Sequence, residues 1–154
     1  MKTMYLVTES STNTEILKRL LPTDLVQRTE FVTAHGRYSA SSLSGTILSE
    51  RMRPVALVIN ANTTEEGAIH EQASTITGLL LPASSGVPYK VLMAVPTVEA
   101  ILSQVKTDSE TQLAHPPITS VLNSLNAGQI QILQMQSLIQ QITQFLANVF
   151  IQAA

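Results

Sequence analysis

The chain has 154 residues, 44% of them hydrophobic, which is enough to bury one proper core and too few for two ordinary domains. Its 9 basic and 11 acidic residues, with a pI near 5.9, exclude the global positive field that drives sequence-independent nucleic-acid binding, so any phosphate contact has to be local. With no cysteine there is no disulfide framework, thiolate metal site or thiol nucleophile, and stability must come from packing.

The N-terminus, Met1 to Glu9, has one cation and a very short apolar run ending in an acid, which is not the pattern of a signal peptide. Cytoplasmic residence is the expectation, without membrane association, because glutamines interrupt every stretch that could approach the roughly 20 apolar residues of a spanning helix. Tyr5 to Thr8 reads as a strand stopping at Glu9. Thr12 and Glu15 have capping-box spacing ahead of a helix carrying Ile16, Leu17, Leu20 and Leu21, and Pro22 ends it. The pattern repeats: Phe31 to Ala34 leads through His35-Gly36-Arg37 into a helix carrying Leu43, Ile47 and Leu48. Val55 to Ile59 is apolar without alternation, as expected for a strand buried on both faces at the centre of a parallel sheet. Thr63 and Glu66 are spaced as a second capping box before a helix running to about Leu80. A last strand, Lys90 to Val95, meets Pro96, which suits the first turn of a helix carrying Glu99 and Leu102.

Strands alternating with helices predict an α/β, Rossmann-like fold: a mainly parallel four-stranded sheet flanked by helices, with short right-handed crossovers. From Thr111 to Ala154 there is no Asp, Glu, Lys or Arg. Residues 1–110 therefore read as the α/β core and 111–154 as an uncharged helical extension, set off by Pro116-Pro117, with Gly128 dividing two helices. In the final helix Met135, Leu138, Ile142, Phe145 and Val149 form a heptad-like stripe. Two coverings suit it: the chain's own sheet, or a second copy in a homo-oligomer.

In a parallel α/β sheet, ligands bind beyond the carboxyl ends of the strands. Those ends carry Glu9, His35-Gly36-Arg37, Asn60 and Asn62, and Pro96 to Glu99, the residue types of a metal-dependent phosphoryl-transfer site: oxygen ligands, a cation for phosphate, and a glycine allowing close backbone approach. Tyr5 to Glu9 resembles the first strand of a Toprim domain with its terminal glutamate. Ala34 to Ser39 resembles the glycine-basic-serine turn of the second unit, and Arg53 to Thr64 is similar to the strand that ends in Asp-x-Asp. Ala94 to Ala100 resembles the Pro-x-x-Glu segment of Toprim domains in the OLD nuclease family. The resemblance covers residues 4 to 105 and implies a Toprim-like fold, Mg²⁺ or Mn²⁺ as cofactor, metal ligation at Glu9, Asn60 and Asn62, catalytic roles for Glu9 and Glu99, and phosphate contact at Gly36 and Arg37. It also implies nucleic acid or a separate ATPase as partner.

The chain departs from that pattern where charge matters most. Both aspartate positions are asparagines, Asn60 and Asn62, so a cluster of three negative charges falls to one, and a hard divalent cation held largely by anionic oxygen should bind weakly. Glu65, Glu66 or Glu99 could supply a missing charge, although Glu66 is better explained as a helix cap. His70 lacks the second histidine of a His-Glu-x-x-His site, and a lone His35 carries little weight. Ser10, Ser11 and Ser39 are caps and turn formers before they are nucleophiles. Two functions from different classes follow: a non-catalytic interaction or regulatory module on a degenerate Toprim-like scaffold, and, as the alternative, a metal-dependent nuclease or phosphodiesterase.

Overall fold

The unbroken apolar run from Val55 to Ile59 forms an inner strand of the sheet, with both faces covered. The computed structural model describes residues 2–105 and 117–153 of the chain. The strands are β1 (Met4–Thr8), β2 (Thr29–Thr33), β3 (Val55–Asn60) and β4 (Tyr89–Ala94), all parallel and ordered β2-β1-β3-β4. Tyr5 stands beside both Glu30 and Val55, and Val55 beside Tyr89. The chain leaves β1 for β2 on one side and returns to β3 on the other, so the connections after β1 and β3 diverge. That is the topological switch point at which open α/β sheets form a crevice.

The helices are α1 (Ser11–Leu20), α2 (Thr23–Arg28), α3 (Arg37–Thr46), α4 (Glu66–Ser84), α5 (Ile118–Asn123), α6 (Ala127–Gln134) and α7 (Ser137–Ala153). A π-helical turn, Ile47–Arg51, continues α3, and a short 3₁₀ helix spans Glu99–Gln104. Alternation along the strands sorts side chains into two cores. Leu6, Ala56, Val58, Leu92 and Ala94 meet α1, α5, α6 and α7 on one face. On the other, Val7, Val55, Leu57 and Ile59 meet Ala40, Leu48, Ile76 and Leu80 from the α3–α4 layer. The core residues 4–105 and the extension thus share a hydrophobic cluster; the expected boundary at 110 and 111, with Pro116, lies outside the described residues.

Of the two coverings for the final stripe, its own sheet accounts for Leu138, Ile139, Ile142, Leu146 and Val149, which are buried where α7 crosses β1, β3 and β4. Met135 is not part of α7; it falls in the break after α6 and is exposed. Gly128 does not divide the helices either. A capping box between Asn126 and Gln129, with bonds of 2.8 and 2.9 Å, starts α6 one residue earlier and leaves Gly128 in its first turn.

The two capping boxes expected upstream do not form. Ser10 caps α1, its hydroxyl accepting from Asn13 N–H at 3.3 Å, because the helix begins directly after the strand-end loop. Thr63 accepts from Glu65 N–H at 3.2 Å, closing a local turn before α4 instead of capping it. Pro82 lies inside α4, and the helix stops only where Ser85 and Gly86 take positive φ. Pro96 opens no helix: the Val95–Pro96 peptide is cis, and Thr97 Oγ1 accepts from Ala100 N–H at 3.1 Å to start the 3₁₀ turn.

Ile142 is fully buried on the sheet. Ile142→Ala should lower unfolding free energy by about 2–5 kcal/mol, the usual range for a deeply buried aliphatic truncation. Urea denaturation checks this, and a change under about 0.5 kcal/mol would mean α7 is not packed as described.

Candidate functional site at the strand ends

The loops after β1 and β3 carry Glu9 and Asn60 to the switch point, and Asn60 is where the local bonds converge. Its N–H donates to Glu9 Oε2 at 2.6 Å. Its carbonyl accepts from Arg37 Nη2 at 2.7 Å, and its side-chain Oδ1 accepts from Val98 N–H at 2.9 Å. One half-buried asparagine therefore joins the ends of β1 and β3, the start of α3 and the segment after β4. Two of these bonds have an ionised partner, the class worth about 1.5–3 kcal/mol each.

The flanking backbone holds this geometry. Gly36 N–H donates to the Glu9 carbonyl at 3.0 Å, and Gly36 adopts φ +98°, open to glycine and strained for other residues. The turn thereby sets Arg37 at the first position of α3. Ala61 and Asn62 donate to the carbonyls of Ala94 and Pro96 at 2.9 and 2.8 Å, stitching the end of β3 to the end of β4. Asn62 sits at φ +57°, a left-handed conformation that asparagine tolerates, with its side chain exposed.

Glu9, Gly36, Arg37 and Asn60 thus come together as the sequence suggests. Asn62 joins through its main chain. Glu99 follows Val98 but is exposed at the start of the 3₁₀ helix, and His35, Glu65, Glu66 and His70 are exposed as well. Among the described residues no three His, Cys, Asp or Glu side chains are grouped to hold a metal ion. The expected metal cluster offers one carboxylate, already accepting a main-chain N–H, and two neutral amides, one of which already binds Val98. That donor set does not fit a hard divalent cation, whose ligands are chiefly anionic oxygens.

Below these residues lies a partly buried hydroxyl relay that sequence patterns do not reveal. Thr14 Oγ1 lies 2.7 Å from Thr8 Oγ1 and 2.6 Å from Thr33 Oγ1, tying α1 to the ends of β1 and β2. Gln72 of α4 also escapes notice: its Nε2 donates to the Ala61 carbonyl at 3.2 Å. The signal available was its spacing, since Gln72, Ile76 and Leu80 recur every fourth residue and place a polar group on the inward face. Gln72 Oε1 and Asn13 Nδ2 are buried without a hydrogen-bond partner among the described residues, each costing about 1–3 kcal/mol.

Beside the network, α3 and α4 enclose an open groove of about 440 Å³. Arg37, Glu71 and Gln72 line its polar end and Ile76 and Leu79 its apolar end, while Tyr38 stands 91% exposed at its margin. No protein-family model matches the chain, and no curated protein matches it.

Asn60→Ala removes the acceptor of Val98 N–H and should lower stability by about 1–3 kcal/mol. Asn62→Gly, at an exposed left-handed position, should stay within about 0.5 kcal/mol of wild type. Paired urea titrations check both, and equal effects would show that Asn60 is not the hub of the site.

Proposed function

We propose that this chain is a degenerate Toprim-like protein acting as a non-catalytic interaction or regulatory module. The observation that carries this is the use of Asn60: its main-chain N–H, its carbonyl and its side-chain Oδ1, the oxygen that would face a metal, are all bonded within the protein. In a working metal site of this family, the side chains at this position and two residues on would be anionic and turned to a cation. Here the first is neutral and ties β3 to the segment after β4, and the second is neutral and exposed.

Charge favours the module over the nuclease alternative. Glu9 is the one formal negative charge of the presumed ligand set, and the bond from Asn60 N–H holds it against the sheet. Three carboxylates at the same strand ends would repel one another without a cation. Neutral amides remove that repulsion, so the scaffold is stable without metal. Arg37, which the resemblance makes a phosphate contact, is docked on the Asn60 carbonyl and serves the same structural purpose.

Calorimetric titration with Mg²⁺ and Mn²⁺ tests the proposal. Wild type should show no binding up to low-millimolar metal. An Asn60→Asp/Asn62→Asp variant should be less stable in chelator, bind either metal, and regain stability as it does so. Binding by wild type that Glu9→Ala abolishes, or Mn²⁺-dependent cleavage of DNA or RNA lost in Glu9→Ala, would overturn the module in favour of the nuclease.

A further inference from the structure

The four-stranded sheet ends in two edges of different character. At the β3–β4 pairing, Val55 N–H donates to Pro88 O at 3.2 Å and Ala61 N–H to Ala94 O at 2.9 Å. In a parallel ladder this alternation turns the peptide groups of Lys90, Leu92 and Ala94 toward β3 and those of Tyr89, Val91 and Met93 outward. The outward groups make no hydrogen bond among the described residues. An edge of this kind is a template for another strand unless charge, proline or a covering element blocks it.

The edge at β2 is blocked by charge. Lys2 pairs with Glu30 at 3.4 Å, the Lys18 amine lies 5.3 Å from the Phe31 ring, and the Arg28 guanidinium lies 4.1 Å from the ring of Phe150. Among the described residues the β4 edge has no comparable guard. Lys90 is the sole charged residue between Ser84 and Val98, the half of α4 from Ala73 to Ser84 has none, and α7 on the other face of the sheet has none. On α4, Leu79 lines the groove toward α3, and Leu81, two positions or about 200° further round, lies on the opposite flank. Leu81 is 63% exposed.

We infer that the β4 edge is a self-association surface on which a second copy of this chain pairs antiparallel across a two-fold axis. The strand's own sequence favours this occupant. With Val91 opposite the partner's Val91, Tyr89 faces the partner's Met93 and Met93 the partner's Tyr89. Every outward peptide group then meets another, and each pair exchanges both N–H···O bonds. In the same register Lys90 faces the partner's Leu92, so the two lysines are not opposed. The two sheets become one continuous sheet, with α4 beside its copy on one face and α7 beside its copy on the other. The charge-free helix surfaces suit an interface core, from which charge is normally depleted. Closed two-fold pairing also satisfies the edge without propagating into a filament. The inference rests on the sheet edge and not on the state of the strand-end site, and neither depends on the other.

Light scattering after size exclusion, over a concentration series of the full chain, provides the test. Wild type should approach twice the 16.7 kDa chain mass. Leu81→Lys, an exposed substitution, should weaken the dimer by about tenfold or more. Val91→Pro removes an outward N–H without breaking a β3 bond and should give monomers. Hydrogen exchange at Tyr89, Val91 and Met93, which does not rely on Val91→Pro folding, should slow as wild-type concentration rises. Wild type that is monomeric throughout, a dimer unaffected by Leu81→Lys, or exchange at those amides independent of concentration would each overturn the inference.

Discussion

The main chain of β3 is the element on which the other parts depend. Its odd-numbered peptide groups are committed to β4 and its even-numbered ones to β1, as the bonds from Val55 to Pro88 and from Tyr5 to Pro54 indicate. Its side chains are spent on both cores. A strand held on four sides has almost no freedom at its end, so Asn60 emerges at a fixed position between the end of β1 and the segment after β4. The strand-end network follows from that placement. Glu9 reaches a peptide N–H that is already oriented, Arg37 a carbonyl, and Val98 a side-chain amide.

Neutrality at Asn60 has a structural dividend beside its electrostatic one. A carboxylate there could accept from Val98 as the amide does, but it would stand near the Glu9 carboxylate, and relieving that repulsion would require a cation or a proton. The amide keeps the acceptor and drops the charge. The segment from Ala94 to Val98 can then be held by bonds internal to the chain, with Pro96 O accepting from Asn62 and Asn60 Oδ1 accepting from Val98. The strand ends are closed by the same kind of bonding that builds the sheet.

Much of the architecture was legible because burial writes itself into side-chain pattern. The run from Val55 to Ile59 could hardly be other than an inner parallel strand, and the stripe through Leu138, Ile142 and Val149 announced a helix needing cover. Glu9, Gly36, Arg37 and Asn60 could be brought together from the rule that ligands sit beyond strand ends. Hydrogen bonds involving main-chain groups were harder to see. The N–H of Val98 and the carbonyl of Ala61 have no residue-type signature, so the partners of Asn60 and Gln72 were invisible. Helix starts failed for a related reason: Thr12 with Glu15 and Thr63 with Glu66 have the right spacing, but the strand-end loops place the first helical residue elsewhere, at Ser11 and Glu66. Spacing suggests a cap; the entry direction of the chain decides it.

The position of α7 also shapes how the protein is made. The face of the sheet built from Leu6, Ala56, Val58 and Leu92 is finished only when Ile139, Ile142 and Leu146 arrive, after the entire stretch from Ala94 to Ser137 has been synthesised. At about 5–20 residues per second, a nascent chain with all four strands already outside the ribosome would wait on the order of seconds with that apolar surface covered only over part of its extent, by α1. Parallel strands pair slowly because their contacts are distant in sequence, which lengthens the exposure. The helix without charge is thus a late-arriving cover for a face of the sheet laid down well before it, and glutamines interrupt its otherwise apolar run.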